Sequence, residues 1–169
     1  MLNSGNDAAE ALAEHHAGSI EAFAELMNQE ALRMGATNSH FMNPSGLSHS
    51  DHYTTVYDMY LIFNEALKLP EFVNIISTSS YECTYTNISG KIIEKTFYNS
   101  NRYLNKTVTT PDGFQVVGGK TGTTYDAGYC LVLYSKNSTG DDIISIVFKA
   151  DGRHNLYLLM NQILSRFAN

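Results

Sequence analysis

Two continuous apolar runs near the end of the sequence constrain the fold more than any other feature. They cover residues 129–135 and 143–149, and the turn-rich segment 137–141 separates them. Apolar runs of this length are typical of strands that are covered on both faces. A strand that ends at 120–122 precedes them, and apolar residues at helical spacing follow over 156–167. We therefore predict a three-stranded meander closed by a C-terminal helix.

The first half of the sequence has a different period. Apolar residues at helical spacing, with glycine, serine and proline at the ends, predict four helices, over 6–17, 20–34, 56–67 and 71–77. Two short strands, 81–86 and 91–98, follow around a turn. The whole chain, 1–169, is predicted to be one layered α/β (α+β) domain.

Composition excludes several classes of partner. The net charge of −6 argues against a nucleic-acid partner, which would require clustered Lys and Arg. No stretch approaches the roughly 20 apolar residues of a membrane span, and the polar start is not a signal peptide. Either the protein is therefore cytoplasmic, or its true N-terminus lies upstream of Met1 and has been cut away. Cys83 and Cys130 lack metal spacing, and two buried free thiols are preferred to a disulfide.

The glycine-flanked Lys120 could belong to a phosphate-binding loop or to the edge of a strand. A P-loop requires glycine five positions before the Gly-Lys-Thr glycine, where this chain has Phe114. A P-loop also leads into a helix, whereas Lys120 is followed by turn residues and a strand pattern. We therefore exclude the P-loop. The remaining interpretation is a strand edge that presents an ammonium and a hydroxyl to a carboxylate.

Histidines do not indicate a metal site. His15 and His16 are adjacent, and His49 and His52 are three residues apart, but neither pair has a third or fourth ligand at useful spacing. We predict no metal and no organic cofactor.

Several segments together resemble a known enzyme group. Ser4-Gly5-Asn6 and Lys120-Thr121-Gly122 resemble the S-x-N and K-T-G motifs of the penicillin-recognising serine enzymes. The segments FMNPSGL (41–47), HYTTVYD (52–58) and GGKTGTTYDAGYCL (118–131) resemble those of the D-alanyl-D-alanine carboxypeptidases, in the same order. The resemblance implies a β-lactamase/transpeptidase-like fold, in which an antiparallel sheet carries flanking helices.

The resemblance implies catalytic roles for three residues. Lys120 would supply positive charge at the cleft, and Ser4 would relay a proton toward the leaving amine. Asn6 would hold the substrate amide and the general-base lysine of the family.

Three further residues would bind the substrate. Thr121 would offer its hydroxyl to the terminal carboxylate of a peptide ending in D-Ala-D-Ala. Gly122 would let the substrate backbone lie along the strand edge, and the N–H of Thr123 would belong to the oxyanion hole.

The resemblance implies a serine-type D-alanyl-D-alanine carboxypeptidase that acts on peptidoglycan stem peptides through an acyl-enzyme. It would also bind β-lactams, and it would work outside the cytoplasmic membrane in the bacterial cell envelope. The family's nucleophile lies in an S-x-x-K motif, but no lysine of this sequence has serine three positions before it. We therefore expect a C-terminal part of the catalytic domain, without the N-terminal strands and the nucleophile helix. Alone it should be inactive and should self-associate through an uncovered sheet edge.

Two alternatives stay open. A class A-like β-lactamase would use the same motifs, although the carboxypeptidase-like segments between 41 and 58 argue against it. A non-catalytic remnant that binds peptidoglycan or a partner would need no nucleophile. An upstream segment with the S-x-x-K motif would argue against this second interpretation.

Overall fold

The computed structural model describes residues 1–167, which form helices at both ends of the chain and strands between them. The helices are α1 (Asn6–Ala17), α2 (Ile20–Arg33), α3 (Val56–Ala66), α4 (Pro70–Ser77) and α5 (Arg153–Arg166). The strands are β1 (Ser80–Thr86), β2 (Ile92–Tyr98), β3 (Phe114–Thr124), β4 (Gly128–Asn137) and β5 (Asp142–Ala150).

The strands form two antiparallel sheets. β3, β4 and β5 make a three-stranded sheet in that order, and β1 pairs with β2 in a separate hairpin. The predicted meander is therefore confirmed. The predicted end of its first strand at 120–122 was wrong, because β3 continues to Thr124 by pairing Thr123 with Tyr129 and Thr124 with Gly128.

The three-stranded sheet is covered on both faces, as its apolar runs predicted. α5 packs on one face, where Leu131 and Leu133 of β4 meet Met160 and Leu164. On the other face Val132 packs with residues of α3 and α4, among them Ile76. The prediction that all the periodic apolar residues over 156–167 face the sheet was wrong at two positions: Leu159 and Phe167 are exposed, and Tyr157 is buried instead.

Local signals fix the helix ends within one residue of their predicted positions. Gly18 ends α1 with φ 85°, a left-handed conformation that glycine adopts without strain. The hydroxyl of Ser19 accepts a hydrogen bond from the N–H of Ala22 at 3.0 Å and caps α2. α4 begins at Pro70, one residue earlier than predicted, because proline is well suited to the first turn of a helix.

The loop between α2 and α3 is held by a buried carboxylate. Asp58 is 1% exposed, and its carboxylate accepts hydrogen bonds from the N–H of Asn38 at 2.7 Å and the hydroxyl of Ser39 at 2.8 Å. Farther along the loop, the hydroxyl of Ser48 donates to that of Thr124 at 2.9 Å. The loop thus connects α3 with the end of β3.

Both cysteines are free thiols, as predicted, but they are half-buried rather than buried. Among residues 1–167, no helix combines the length and the apolar character that crossing a bilayer requires.

Candidate functional site

Lys120 and Ser4 meet although 116 residues separate them. Lys120 lies on β3 opposite Val132, so its side chain is on the sheet face that α3 and α4 cover. Its Nζ donates to the Oγ of Ser4 and, at 2.5 Å, to the carbonyl oxygen of Thr121. The fold therefore joins the two motifs that the sequence placed at opposite ends of the chain.

The ammonium of Lys120 lies in a desolvated position. Burial lowers the pKa of Lys120 below its ordinary value, because removal from water disfavours the charged form. None of the salt bridges among residues 1–167 involves Lys120. A partly desolvated amine without a counter-ion is suited to binding a carboxylate or to exchanging a proton.

Ser4 does not act as a helix cap. The N-cap of α1 is Gly5, and no side chain of the described part of the chain caps this helix. Ser4 instead has φ 54°, which is uncommon for a residue with a Cβ. In this conformation the Oγ of Ser4 accepts the hydrogen bond that Lys120 donates. Non-glycine residues with a left-handed backbone conformation are often found in functional sites.

Asn6 lies beside this contact without joining it. It is the first residue of α1 and is exposed, and no hydrogen bond of its side chain is found within residues 1–167. The structure brings Ser4 and Lys120 together but leaves Asn6 free, and its role stays a prediction.

Thr121 and Thr123 line a cleft on the opposite face of β3, the face that α5 covers. They pair with Leu131 and Tyr129 of β4, and the cleft has a volume of ≈ 470 Å³. Arg153, the first residue of α5, also lines it, with its guanidinium carbon 5.9 Å from the ring centroid of Tyr129. Two hydroxyls and a guanidinium therefore face one cleft, an arrangement that suits a carboxylate.

The packing of the fold does not require a glycine at position 122. A Cβ there would approach only Cys130, whose Cβ would be 3.9 Å away. The contrast with Gly119 is large, since a Cβ at that residue would come within 3.0 Å of the carbonyl oxygen of Val132. Space beside Gly122 is compatible with the predicted approach of a substrate backbone, which stays a prediction.

Sequence reasoning missed Ser100 and Arg153. The Oγ of Ser100 is 2.5 Å from Oγ1 of Thr121, and its N–H donates to the carbonyl oxygen of Leu2 at 3.0 Å. Ser100 thus ties the segment before Ser4 to β3. A single serine after a strand and an arginine at a helix start are common in sequences, so neither carries a local signal.

The histidines of the loop form hydrogen bonds of their own. Nδ1 of His52 accepts from the N–H of Met42 at 3.2 Å, and Nδ1 of His40 is 2.7 Å from the carbonyl oxygen of Asp51. Residues 1–167 contain no cluster of three or more His, Cys, Asp or Glu side chains placed to hold a metal ion.

Comparison with known proteins gives one consistent family. The family model described as D-alanyl-D-alanine carboxypeptidase matches residues 1–152. The carboxypeptidase DacF of Bacillus subtilis is 36% identical over 151 residues, which cover 88% of this chain and 36% of DacF. The carboxypeptidase DacC of Escherichia coli is 34% identical over 152 residues, covering 89% of this chain and 34% of that protein.

Solved structures agree with the sequence matches. The Streptomyces K15 DD-transpeptidase superimposes with a TM-score of 0.86 and 28% identity, covering 98% of this chain and 63% of that structure. This chain spans about a third of the length of the curated relatives it matches. The predicted β-lactamase/transpeptidase-like fold is confirmed, and the chain belongs to the D-alanyl-D-alanine carboxypeptidase family, peptidase S11.

Proposed function

We propose that residues 1–169 are a C-terminal part of the catalytic domain of a serine-type D-alanyl-D-alanine carboxypeptidase. The observation that carries this proposal is the hydrogen bond from Lys120 to Ser4, which unites the K-T-G and S-x-N motifs. The substrate is a peptidoglycan stem peptide that ends in D-Ala-D-Ala, and β-lactams enter as its mimics. The enzyme works outside the cytoplasmic membrane, in the cell envelope.

Each group of the site has a role in this reaction. A nucleophilic serine, carried by another part of the catalytic domain, attacks the carbonyl of the penultimate D-alanine and forms an ester. The C–N bond breaks, and the terminal D-alanine leaves with a proton relayed through Ser4. Thr121 and Arg153 hold its carboxylate, and the N–H of Thr123 faces the developing oxyanion. Water then hydrolyses the ester.

The lowered pKa of Lys120 supports its role beside the proton relay Ser4. A lysine whose charged form is disfavoured by burial exchanges a proton more readily, and the Nζ of Lys120 already donates a hydrogen bond to Ser4. Lys120 would therefore contribute to proton transfer through Ser4.

A chimera tests this proposal. We would join the part of DacF that precedes its aligned region to this chain, and would measure acylation by a fluorescent penicillin. The chimera should be labelled, and Lys120→Ala should slow acylation by more than about tenfold, because it removes the amine that donates a hydrogen bond to the proton relay Ser4. Lys136→Ala, at an exposed lysine paired with Asp142, is the matched control and should leave the rate unchanged.

The result that would overturn the assignment is an acylation rate that Lys120→Ala leaves intact in a folded chimera. The 169-residue chain alone should gain no mass on penicillin treatment, because Ser4 has no S-x-x-K lysine to activate it. A mass increase of one penicillin would make Ser4 the nucleophile and contradict its role as a relay.

We also propose that the isolated chain self-associates through the outer edge of β5. β5 is the last strand of its sheet within residues 1–167, and it pairs on one side only, with β4. Its nine residues include no proline, and free edges of this kind pair readily with another copy around a two-fold axis.

Light scattering and hydrogen exchange at two protein concentrations test the edge. We expect a dimer or larger assembly, in which amides of β5 exchange more slowly at the higher concentration. Amides of β1, in the separate hairpin, are the internal control and should not respond. A monodisperse monomer, or protection confined to another surface, would overturn the proposal.

A further inference from the structure

A second recess lies beside Ser4, on the side of the β1–β2 hairpin. It has a volume of ≈ 450 Å³ and is formed by the N-terminal segment and one face of the hairpin. Asn3 and Gly5, the two neighbours of Ser4, both line it. The mechanism described above uses none of its lining residues.

One wall of this recess, which we call the hairpin groove, is aromatic. Tyr81 and Tyr85 point to the same face of β1, and Phe97 lies opposite Tyr81 on β2. Tyr81 is 60% exposed and Tyr85 is 44% exposed. Exposed aromatic side chains grouped around a recess are characteristic of binding sites rather than of ordinary surface.

The groove also contains one charge of each sign. Asp7 lines it from the first turn of α1, with Oδ1 accepting from the N–H of Ala8 at 2.9 Å, and no hydrogen bond of Oδ2 is found within residues 1–167. Lys95 lines it from β2, with Nζ 4.6 Å from the ring centroid of Phe97. Neither charge takes part in a salt bridge in the described part of the chain. A ligand with a cation and an anion would satisfy both.

Its position links the groove to the carboxylate cleft. Leu2 lines the groove, and its carbonyl oxygen accepts the N–H of Ser100, which lines the cleft beside Thr121. Asn6, the residue predicted to hold the substrate amide before the scissile bond, does not line the groove. The groove and the cleft are therefore neighbours, joined through the hydrogen bond between Ser100 and Leu2.

We propose that the hairpin groove binds an amino-acid zwitterion, with Asp7 facing the ammonium, Lys95 facing the carboxylate and the tyrosines packing on the carbon atoms between them. This inference rests on the proposed function, because it takes the released D-alanine from the reaction assigned to the cleft. Two molecules have this chemistry: the released D-alanine, and the amino-acid end of an acceptor peptide. With the acceptor, the ammonium would first lose a proton, and the free amine would attack the acyl carbon. An amide C–N bond would then form as the ester C–O bond breaks, and the second proton of the amine would pass to the serine oxygen.

Binding can be measured on the 169-residue chain without any turnover. We would titrate the ¹⁵N-labelled chain with D-alanine and follow the backbone amides of Asp7, Tyr81 and Tyr85. These amides should shift in a saturable manner. N-acetyl-D-alanine lacks the ammonium and D-alaninamide lacks the carboxylate, so each should bind at least about fivefold more weakly.

Variants then test the two charges. Asp7→Asn and Lys95→Gln should each weaken D-alanine binding by about fivefold or more, because a paired charge is lost. Glu14→Gln, at an exposed acid on the same helix outside the groove, is the matched control and should bind as the parent does. The readout is binding to the 169-residue chain and needs no acylation, which separates this test from that of the proposed function.

A comparison of ligands distinguishes the two sources. Tighter binding of D-alanine than of meso-diaminopimelate would assign the groove to product release, and the reverse order would assign it to an acceptor peptide. Absence of shifts in the hairpin at 50-fold the protein concentration and above, up to the solubility of D-alanine, would overturn the proposal. Equal binding of N-acetyl-D-alanine, or binding unchanged by Asp7→Asn, would overturn it as well.

Discussion

The sheet that carries Lys120 and the hairpin that forms the groove are both antiparallel, but they differ in how they are covered. In β4 the residues Leu131, Leu133 and Ser135 are completely buried, since helices pack on both faces of the sheet. In β1 only Cys83 is as much as half-buried, and the other residues are exposed. Two-stranded sheets without a covering layer are marginally stable. Lys120 is therefore held by a rigid layer, whereas the groove has a wall that can adjust.

Glycines make the difference in packing visible. Gly119 and Gly118 of β3 each leave no room for a Cβ, because the backbone of Val132 or of Ile76 lies too close. In the hairpin, the turn glycine Gly90 has no atom within 4 Å of an added Cβ. Both sheets have antiparallel hydrogen bonding, so the three-stranded sheet and the hairpin differ mainly in how closely other backbone segments approach their glycines.

The largest expected effect on stability comes from adding a methyl group where Gly119 contacts the backbone of β4. Gly119→Ala should destabilise the chain by roughly 4 kcal/mol or more, because the methyl group would lie within 3.0 Å of the carbonyl oxygen of Val132 and 3.2 Å from Cα of Leu133. Urea denaturation measures the change. Gly122→Ala is the control, and it should stay within about 1 kcal/mol of the parent. Similar losses in both variants would contradict the packing difference.

A pair of truncations compares the two regions directly. Leu133→Ala should cost about 3 kcal/mol in the free energy of unfolding, since it leaves a cavity in a completely buried position. Tyr85→Ala, in the exposed face of the hairpin, should cost less than about 1 kcal/mol. The same denaturation series reports both. If the hairpin variant lost as much stability as the core variant, the hairpin would be part of the cooperative core.

A smaller effect of opposite sign is expected at Ser135. Its hydroxyl is buried and finds no hydrogen-bond partner among residues 1–167. Because a buried hydroxyl without a partner carries its full desolvation cost, Ser135→Ala should raise the free energy of unfolding by about 1 kcal/mol. Ser145→Ala, at a neighbouring buried serine, serves as the comparison. A loss of stability at Ser135 would indicate that the hydroxyl is satisfied in solution.

The smallest effect concerns pH and the loop that connects α3 with the end of β3. Burial lowers the pKa of His52, with the nearby His49 and His40 acting in the same direction. The unfolded chain therefore binds more protons than the folded one below the ordinary value of about 6.5, so stability should fall as the pH drops through that value.

Thermal unfolding at pH 5.5 and 7.5 tests the role of His52. His52→Asn keeps an acceptor near the N–H of Met42 but cannot titrate, so the decrease on acidification should be smaller in this variant. An equal decrease in parent and variant would assign the pH dependence to other groups.

Much of the fold could be predicted because its signals are local. The apolar runs of β4 and β5 and the residues that end α1 and begin α2 depend on near neighbours in the sequence. The site was predictable only in part. Ser4 and Lys120 were found through their motifs, but the contact of Ser100 with Leu2 and Thr121 depends on three distant segments that fold together. The exposure of Leu159 likewise depends on how α5 is rotated on its sheet, which periodicity alone does not determine.

The open space beside Gly122 has a consequence for how this protein can change over time. Since the fold tolerates a side chain there, folding does not restrain substitution at this position, and only what binds beside the strand edge can select against it. A methyl or hydroxymethyl group would narrow the strand edge while leaving the scaffold that holds Lys120 intact. Under the proposed function, a substitution at position 122 would change discrimination between a flexible peptide and a rigid antibiotic ring at little cost in stability.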